Sequence, residues 1–304
     1  MRIAVIGGGL MGHGIALSFA RAGHPVAVTD PAPETRETLY ERVSESLQLL
    51  GADAGEIAQT VARIRIEADL APAVADADAV FEAAPEKLEL KQQLFADLET
   101  HAPAEAILAS NTSVIQISKI MAGLRSRHRA LGTHWWNPPH MIPLVEVVKT
   151  EWTDPNVAEQ MAGLLRGVGK TAVLVEKDVP GFVGNRLQHA LWREAISLVE
   201  NGICTAEAVD DVVKASFGRR LAVLGPLENA DLVGIELTRD IHAQVLYDLD
   251  TGTGPDPYLQ KLLDQGRTGM ADGAGFRDWA PEDLARTKAR IAEHLRRLDG
   301  ILPE

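Results

Sequence analysis

His134 and Glu146 stand twelve residues apart in "LGTHWWNPPHMIPLVEVVKT", and their types suggest proton chemistry. Glu146 lies between Val145 and Val147 in an apolar run. An unpartnered carboxylate there costs on the order of several kcal/mol unless it is protonated or paired. A nearby imidazole is a suitable partner: the carboxylate accepts the proton of one ring nitrogen, fixes the tautomer and leaves the other nitrogen to take a proton from a substrate. The turn at Asn137, Pro138 and Pro139 lets the chain return so that the two residues face each other. The competing arrangement is a glutamate on a solvent-facing edge strand beside a surface histidine.

A second cluster lies at the start of the chain. "RIAVIG" reads as a strand, "GGGLMGHGIALSFARAG" as a glycine turn entering an amphipathic helix, and "PVAVTD" as a second strand ending on an acid. Gly7, Gly9 and Gly12, with Leu10 and Met11 between them, match G-x-G-x-x-G in a complete βαβ context. The first glycine permits the tight turn, the second lets a pyrophosphate approach, and the third lets helix and strand pack closely. The helix N-terminus offers free N–H groups to the anion. Asp30 can accept both ribose hydroxyls and repels a 2′-phosphate, which favours NAD over NADP. A flavodoxin-like or FAD-binding turn is the alternative.

These residues need a scaffold. Strand and helix patterns alternate through "RIRIEA", "AVADADAVFEAAPE" and "AILASNTS", so the expected fold is α/β, a Rossmann-like doubly wound, mostly parallel sheet over residues 1–179. Ligands in such sheets sit beyond the carboxyl ends of the strands. That rule gathers Glu86, then Asn111, Thr112 and Ser113, then His134. Ser113 is read either as an N-cap of the helix in "VIQISKIMAG" or as an active-site hydroxyl. After the Pro180–Gly181 turn an apolar helix with Leu187, Leu191 and Ile196 is expected to be buried and to open an all-α domain over 180–304. Asn185 in its first turn is a packing residue or a donor to substrate.

Composition excludes several classes. The 304 residues carry a formal net charge of −13, which argues against a nucleic-acid or anionic-membrane surface. A single cysteine, Cys204, allows no internal disulfide, and no apolar run reaches the roughly 20 residues of a membrane span. The expectation is a cytoplasmic, reduced protein with no metal, and the helical domain is a candidate homodimer interface.

Together, "IGGGLMGHGIA", "EAAPEKLELKQQLF", "SNTS", "HWWNPPHMIPLVEVVKT", "KDVPGFVGNRL" and "GPLENADLVG" resemble the L-3-hydroxyacyl-CoA dehydrogenase family over essentially the whole chain. The resemblance implies an NAD-dependent dehydrogenase, with fatty acid metabolism as the setting and a 3-hydroxy acid or its CoA thioester as substrate. It places the catalytic group on Ser113, His134, Glu146 and Asn185, and adds Glu86, Lys91, Asn111 and Asn137 to the cofactor set. The acyl-CoA members have a lysine-rich helical arm after the second strand, where the CoA phosphates bind. Here the arm reads "ESLQLLGADAGEIAQ", without lysine. "GMADGAGF" likewise lacks the lysines of the corresponding acyl-CoA segment, and "RRLAVLGPLE" is closer to the branch of λ-crystallin (L-gulonate 3-dehydrogenase) and carnitine dehydrogenase. Arg186, Arg193, Arg219 and Arg220 are candidate clamps for a free carboxylate. A β-hydroxyacid dehydrogenase of the 6-phosphogluconate type is disfavoured because Gly181, not lysine, stands four residues before Asn185. A non-catalytic, crystallin-like NAD-binding protein is the alternative of another class.

Overall fold

In the computed structural model, which describes residues 1–299 and 301, the first βαβ unit forms where its pattern places it. Strand β1 (Ile3–Ile6) leads through the glycine turn into helix α1 (Leu10–Arg21), and β2 (Val26–Thr29) follows. Every residue of both strands is buried, as expected for strands covered on both faces. Two glycines are demanded by the fold itself. Gly7 has φ +99, and a Cβ on Gly12 would stand 1.7 Å from the Gly7 carbonyl oxygen. α1 can approach β1 only because that position has no side chain.

The remaining strands are β3 (Ile64–Glu67), β4 (Ala79–Glu82), β5 (Ile107–Ser110), β6 (Ala130–Trp135), β7 (Leu144–Val148) and β8 (Thr171–Val175). Among the described residues these eight strands form one sheet in the order β3-β2-β1-β4-β5-β6-β7-β8. All pairs are parallel except β6 with β7. The fold is therefore the doubly wound sheet expected from the alternating pattern. Successive side chains point to opposite faces, so Val5, Val28 and Phe81 enter one core with α1, while Ala4, Ala27 and Val80 enter the other.

Between strands run α2 (Pro33–Glu37), the two-helix arm α3 (Leu39–Leu49) and α4 (Ala54–Val61), α5 (Leu70–Val74), α6 (Leu88–His101), α7 (Ile117–Ile120) and α8 (Pro155–Gly167). The arm buries Leu39, Val43 and Leu47 in the same core as α1. Helix α9 (Gly184–Glu200) then leads to α10 (Ala206–Ala215), α11 (Pro226–Val233), α12 (Ile235–Val245), α13 (Pro257–Asp264) and α14 (Asp283–Asp299).

The chain divides into two compact units, Met1–Arg186 and Leu187–Glu304. Residues 180–186 pack with the first: Phe182 is buried in the core beneath the sheet, and the next residues bond to the sheet edge described below. The second unit is all-α, as expected, but its burial is not. α9 has no buried residue, and Leu187, Leu191 and Trp192 are exposed. The period located the helix correctly; the unit itself supplies too little surface to cover its apolar face. No helix among the described residues is long and apolar enough to cross a membrane.

Candidate active site

The carboxyl ends of β1, β4, β5 and β6 form one edge of the sheet. His134 and Glu146 meet there because β6 and β7 are antiparallel, and their register places the two residues directly opposite each other. The twelve-residue spacing is thus the length of a strand end, a turn and a strand start. His134 is 3% and Glu146 1% exposed. His134 Nδ1 lies 2.7 Å from Glu146 Oε2.

Burial pushes the Glu146 carboxyl up, but hydrogen bonds from His134 and from the Gly184 and Val183 amides outweigh it and hold the group below its usual value. Glu146 is therefore an acceptor and His134 Nδ1 the donor; in a neutral imidazole with that tautomer, Nε2 carries the lone pair. The other oxygen, Oε1, accepts from Val183 N at 2.8 Å and Gly184 N at 3.0 Å, at the start of α9. One carboxylate fixes both an imidazole and the entry of the helix that carries Asn185. Trp136 and Phe182 pack beside the His134 ring, at 5.3 and 5.5 Å between centroids.

Asn185 Nδ2 donates to the Ser113 carbonyl at 2.9 Å, so Asn185 and Ser113 are brought together as expected. Ser113 is not an N-cap. α7 begins only at Ile117, and its first amides, Ile117 N and Ser118 N, bond to Asp178 instead. The loop holding Ser113 is fixed from beneath by Glu86, whose Oε1 accepts from the Thr112 hydroxyl, from Ser113 N at 3.0 Å and from Val114 N at 3.2 Å. Burial raises the Glu86 pKa; the Thr112 bond, the Lys91 charge and the two amides more than reverse it, so Glu86 is ionised.

Lys91 differs from the expected cofactor contact. It is 0% exposed, and its ammonium lies 2.7 Å from Glu82 Oε1, 3.2 Å from the Ala84 carbonyl and 3.4 Å from Glu86 Oε2. A group enclosed in this way reaches a ligand only through Glu86. Glu82, also 0% exposed, accepts in addition from Ala84 N at 2.7 Å and Ser110 Oγ at 2.6 Å. Asn111 Oδ1 accepts from Trp135 N at 3.0 Å and so ties the ends of β5 and β6. Asn137 is exposed.

At the glycine turn, Asp30 Oδ2 accepts from Gly8 N at 2.8 Å and Oδ1 from Ala32 N at 2.9 Å, which sets the carboxylate at the end of β2. A Cβ on Gly9 would meet nothing within 4 Å. The fold does not need glycine at Gly9; a close-approaching ligand does. The amides of Gly9, Leu10 and Met11 find no partner among the described residues, as the first amides of a helix that accepts an anion would. These features fit NAD.

His140 lies beside this turn, with ring centroids 5.9 Å from His13, and its buried Nδ1 has no partner. Burial, then the charges of His13 and Lys170, lower its pKa to about 4. The unfolded chain takes up this proton near 6.5 and the folded chain only near 4, so stability falls as pH drops between those values. Allowing for solvent screening, the wild type is expected to lose about 1 kcal/mol from this group between about pH 7 and 5. Urea titrations at the two pH values check it, and His140→Gln should show the smaller difference.

Sequence reading missed Glu82, Ser110, Asp178 and Arg42, the last described below. Glu82 carried a usable signal, an acid ending the apolar run "AVFE". The four arginines proposed as carboxylate clamps are all exposed, and Arg193 donates to the Gly252 carbonyl at 3.2 Å.

A glycine turn with unpartnered amides at one strand end and a buried histidine–carboxylate pair at another suit a nicotinamide-dependent dehydrogenase. The sequence model of the 3-hydroxyacyl-CoA dehydrogenase NAD-binding domain matches residues 2–179, and that of the 3-hydroxyacyl-CoA dehydrogenase C-terminal domain matches 181–279. The chain belongs to the 3-hydroxyacyl-CoA dehydrogenase family, and its cofactor is NAD. It is 35% identical to 5-formyl-3-hydroxy-2-methylpyridine 4-carboxylate 5-dehydrogenase of Mesorhizobium japonicum, over 98% of this chain and 96% of that one. It is 37% identical to L-carnitine dehydrogenase of Nocardiopsis dassonvillei, over 77% of this chain and 71% of that one. Among solved structures, one titled as the same pyridine-carboxylate dehydrogenase, an NAD+-dependent dismutase, superposes with a TM-score of 0.90 at 33% identity, covering 99% and 97% of the two chains.

Proposed function

We propose that this dehydrogenase acts on a small carboxylate-bearing alcohol or aldehyde, such as a free 3-hydroxy acid, rather than on a CoA thioester. The arm carries the argument. Glu41 and Glu45 are exposed on α3, its buried Leu39, Val43 and Leu47 share a core with α1, and its guanidinium, Arg42, is turned onto the glycine turn. CoA phosphates find no free cation on α3 or α4. The substrates named for the pyridine-carboxylate and carnitine relatives are likewise free of CoA.

His134, Glu146, Ser113 and Asn185 form the proposed catalytic group. During oxidation His134 Nε2 takes the proton of the substrate hydroxyl while Glu146 stabilises the resulting imidazolium through Nδ1. Ser113 and Asn185 hydrogen-bond the substrate oxygen as its charge develops. NAD, held by Gly9, Leu10, Met11 and Asp30, supplies the hydride acceptor. Glu86 orients the loop beside it, with Lys91 acting through Glu86.

A paired screen tests the substrate class: NADH absorbance is followed with 3-hydroxybutyryl-CoA and with free 3-hydroxybutyrate, carnitine, gulonate and 5-formyl-3-hydroxy-2-methylpyridine 4-carboxylate. Turnover confined to free acids is expected. A kcat/KM highest for the CoA thioester overturns the proposal and restores the acyl-CoA reading that the family name favours.

A homodimer is part of the same reading. Leu262 alone represents the second unit among the buried apolar side chains of the described residues, while Leu227, Leu232, Ile235 and Tyr247 are all more than 60% exposed. Apolar surface of that extent marks an association site, and a self-complementary pair is the commonest way to cover it. Light scattering should give twice the chain mass of 32.8 kDa; a monomer at micromolar concentration contradicts it.

A further inference from the structure

A formal charge of −13 makes this chain a poor general attractor of a pyrophosphate, and Gly7 to Gly12 contain no cationic side chain. The arm supplies one. Arg42, half-buried on α3, donates from Nη1 to the Gly8 carbonyl at 2.8 Å and to the Gly9 carbonyl at 3.4 Å. Its Nη2 donates to the Thr35 carbonyl at 2.8 Å and its Nε to Thr38 Oγ1 at 3.3 Å. All its nitrogens thus hold the stretch that runs from the glycine turn to the arm.

In a planar trans peptide the carbonyl and the following N–H point in opposite directions. With the Gly8 and Gly9 carbonyls drawn toward the guanidinium, the Gly9 and Leu10 amides face the other side, and each such bond polarises its peptide. His13 makes a second tie to the same arm, with Nδ1 at 3.0 Å from the Gly9 carbonyl and Nε2 at 3.2 Å from Ser46 Oγ.

We infer that Arg42 is a positioning residue for the cofactor's pyrophosphate: from behind the turn it sets the direction of the amides and places a formal positive charge there. The inference rests on the reading that NAD binds at this turn. Distance makes the charge effect sensitive to salt, because ions screen a half-exposed guanidinium within about 10 Å at 0.1 M.

Fluorescence titration of the full chain with NADH tests it. Arg42→Gln is expected to bind NADH about tenfold more weakly at low salt, and the gap should narrow to about threefold near 1 M NaCl. Arg42→Lys keeps the charge and should stay within about threefold of wild type at low salt; it is the decisive variant should the glutamine protein fail to fold. Equal affinities for wild type and Arg42→Gln overturn the inference. So does a gap that is the same at both salt concentrations, or a lysine variant tenfold weaker than wild type. Gly9→Val separates the two readings, since the fold has room for the side chain. If Gly9→Val binds NADH normally, the turn is not the cofactor site. If Gly9→Val loses NADH while Arg42→Gln does not, only the role of Arg42 fails.

Discussion

His134→Ala is expected to lower the rate of the chemical step by on the order of 10² to 10⁴ while leaving NADH affinity nearly unchanged. The basis is geometric: Nδ1 is committed to Glu146 at 2.7 Å, and Nε2 is the nitrogen left with a lone pair. Truncation to alanine also strips a donor from a buried carboxylate, so a loss of stability accompanies it. His134→Asn separates the effects, because its side-chain amide can donate to Glu146 but cannot act as a base at neutral pH. Single-turnover rates measured beside fluorescence titrations decide the matter, and an unchanged rate in the asparagine variant removes His134 as the base. Glu146→Gln presents an N–H toward Nδ1 and favours the wrong tautomer; a rate loss of at least about 10² is expected.

Lys91→Met is expected to destabilise the protein by about 3–5 kcal/mol. It leaves the Glu82 carboxylate wholly buried, with only Ala84 N and Ser110 Oγ as donors. Breaking one side of a buried pair is costly because desolvation of the remaining charge is no longer offset. Adding Glu82→Gln neutralises that charge, and the double variant should recover a substantial part of the loss. Urea unfolding of the four proteins measures both quantities. A single-variant loss below about 1 kcal/mol would show that Glu82 is satisfied without the lysine. The same variant should weaken the hold on Ser113, since Glu86 loses the ammonium at 3.4 Å.

The sheet was readable because its inner strands are apolar on both faces and alternate with amphipathic helices, a pattern that admits few other arrangements. Glu146 was readable for the opposite reason: a charge in an apolar strand needs a partner, and the register supplied it. The same reasoning applied to Glu82 leads to Lys91, but a lysine on a helix resembles a solvated one until the helix is packed. Arg42 was hidden for that reason too, since "YERVSES" reads as an exposed face. The capping role given to Ser113 failed because the acceptor that caps α7, Asp178, is about sixty residues away in sequence. Local spacing carries no record of it.

The two oxygens of Glu146 give the enzyme's acid limit a definite form. Oε2 holds the imidazole and Oε1 holds the Val183 and Gly184 amides. Because its pKa lies below the ordinary glutamate value, this carboxylate stabilises the fold above that value, and the contribution disappears as pH falls through the lowered one. A single proton turns one of the two oxygens into a hydroxyl and cancels the charge that strengthens the bonds at both, so the hold on the imidazole and on the two amides weakens together. Release of the His134 ring and loosening of the helix that bears Asn185 should follow one titration curve, so acid inactivation is expected as a concerted event with a single midpoint.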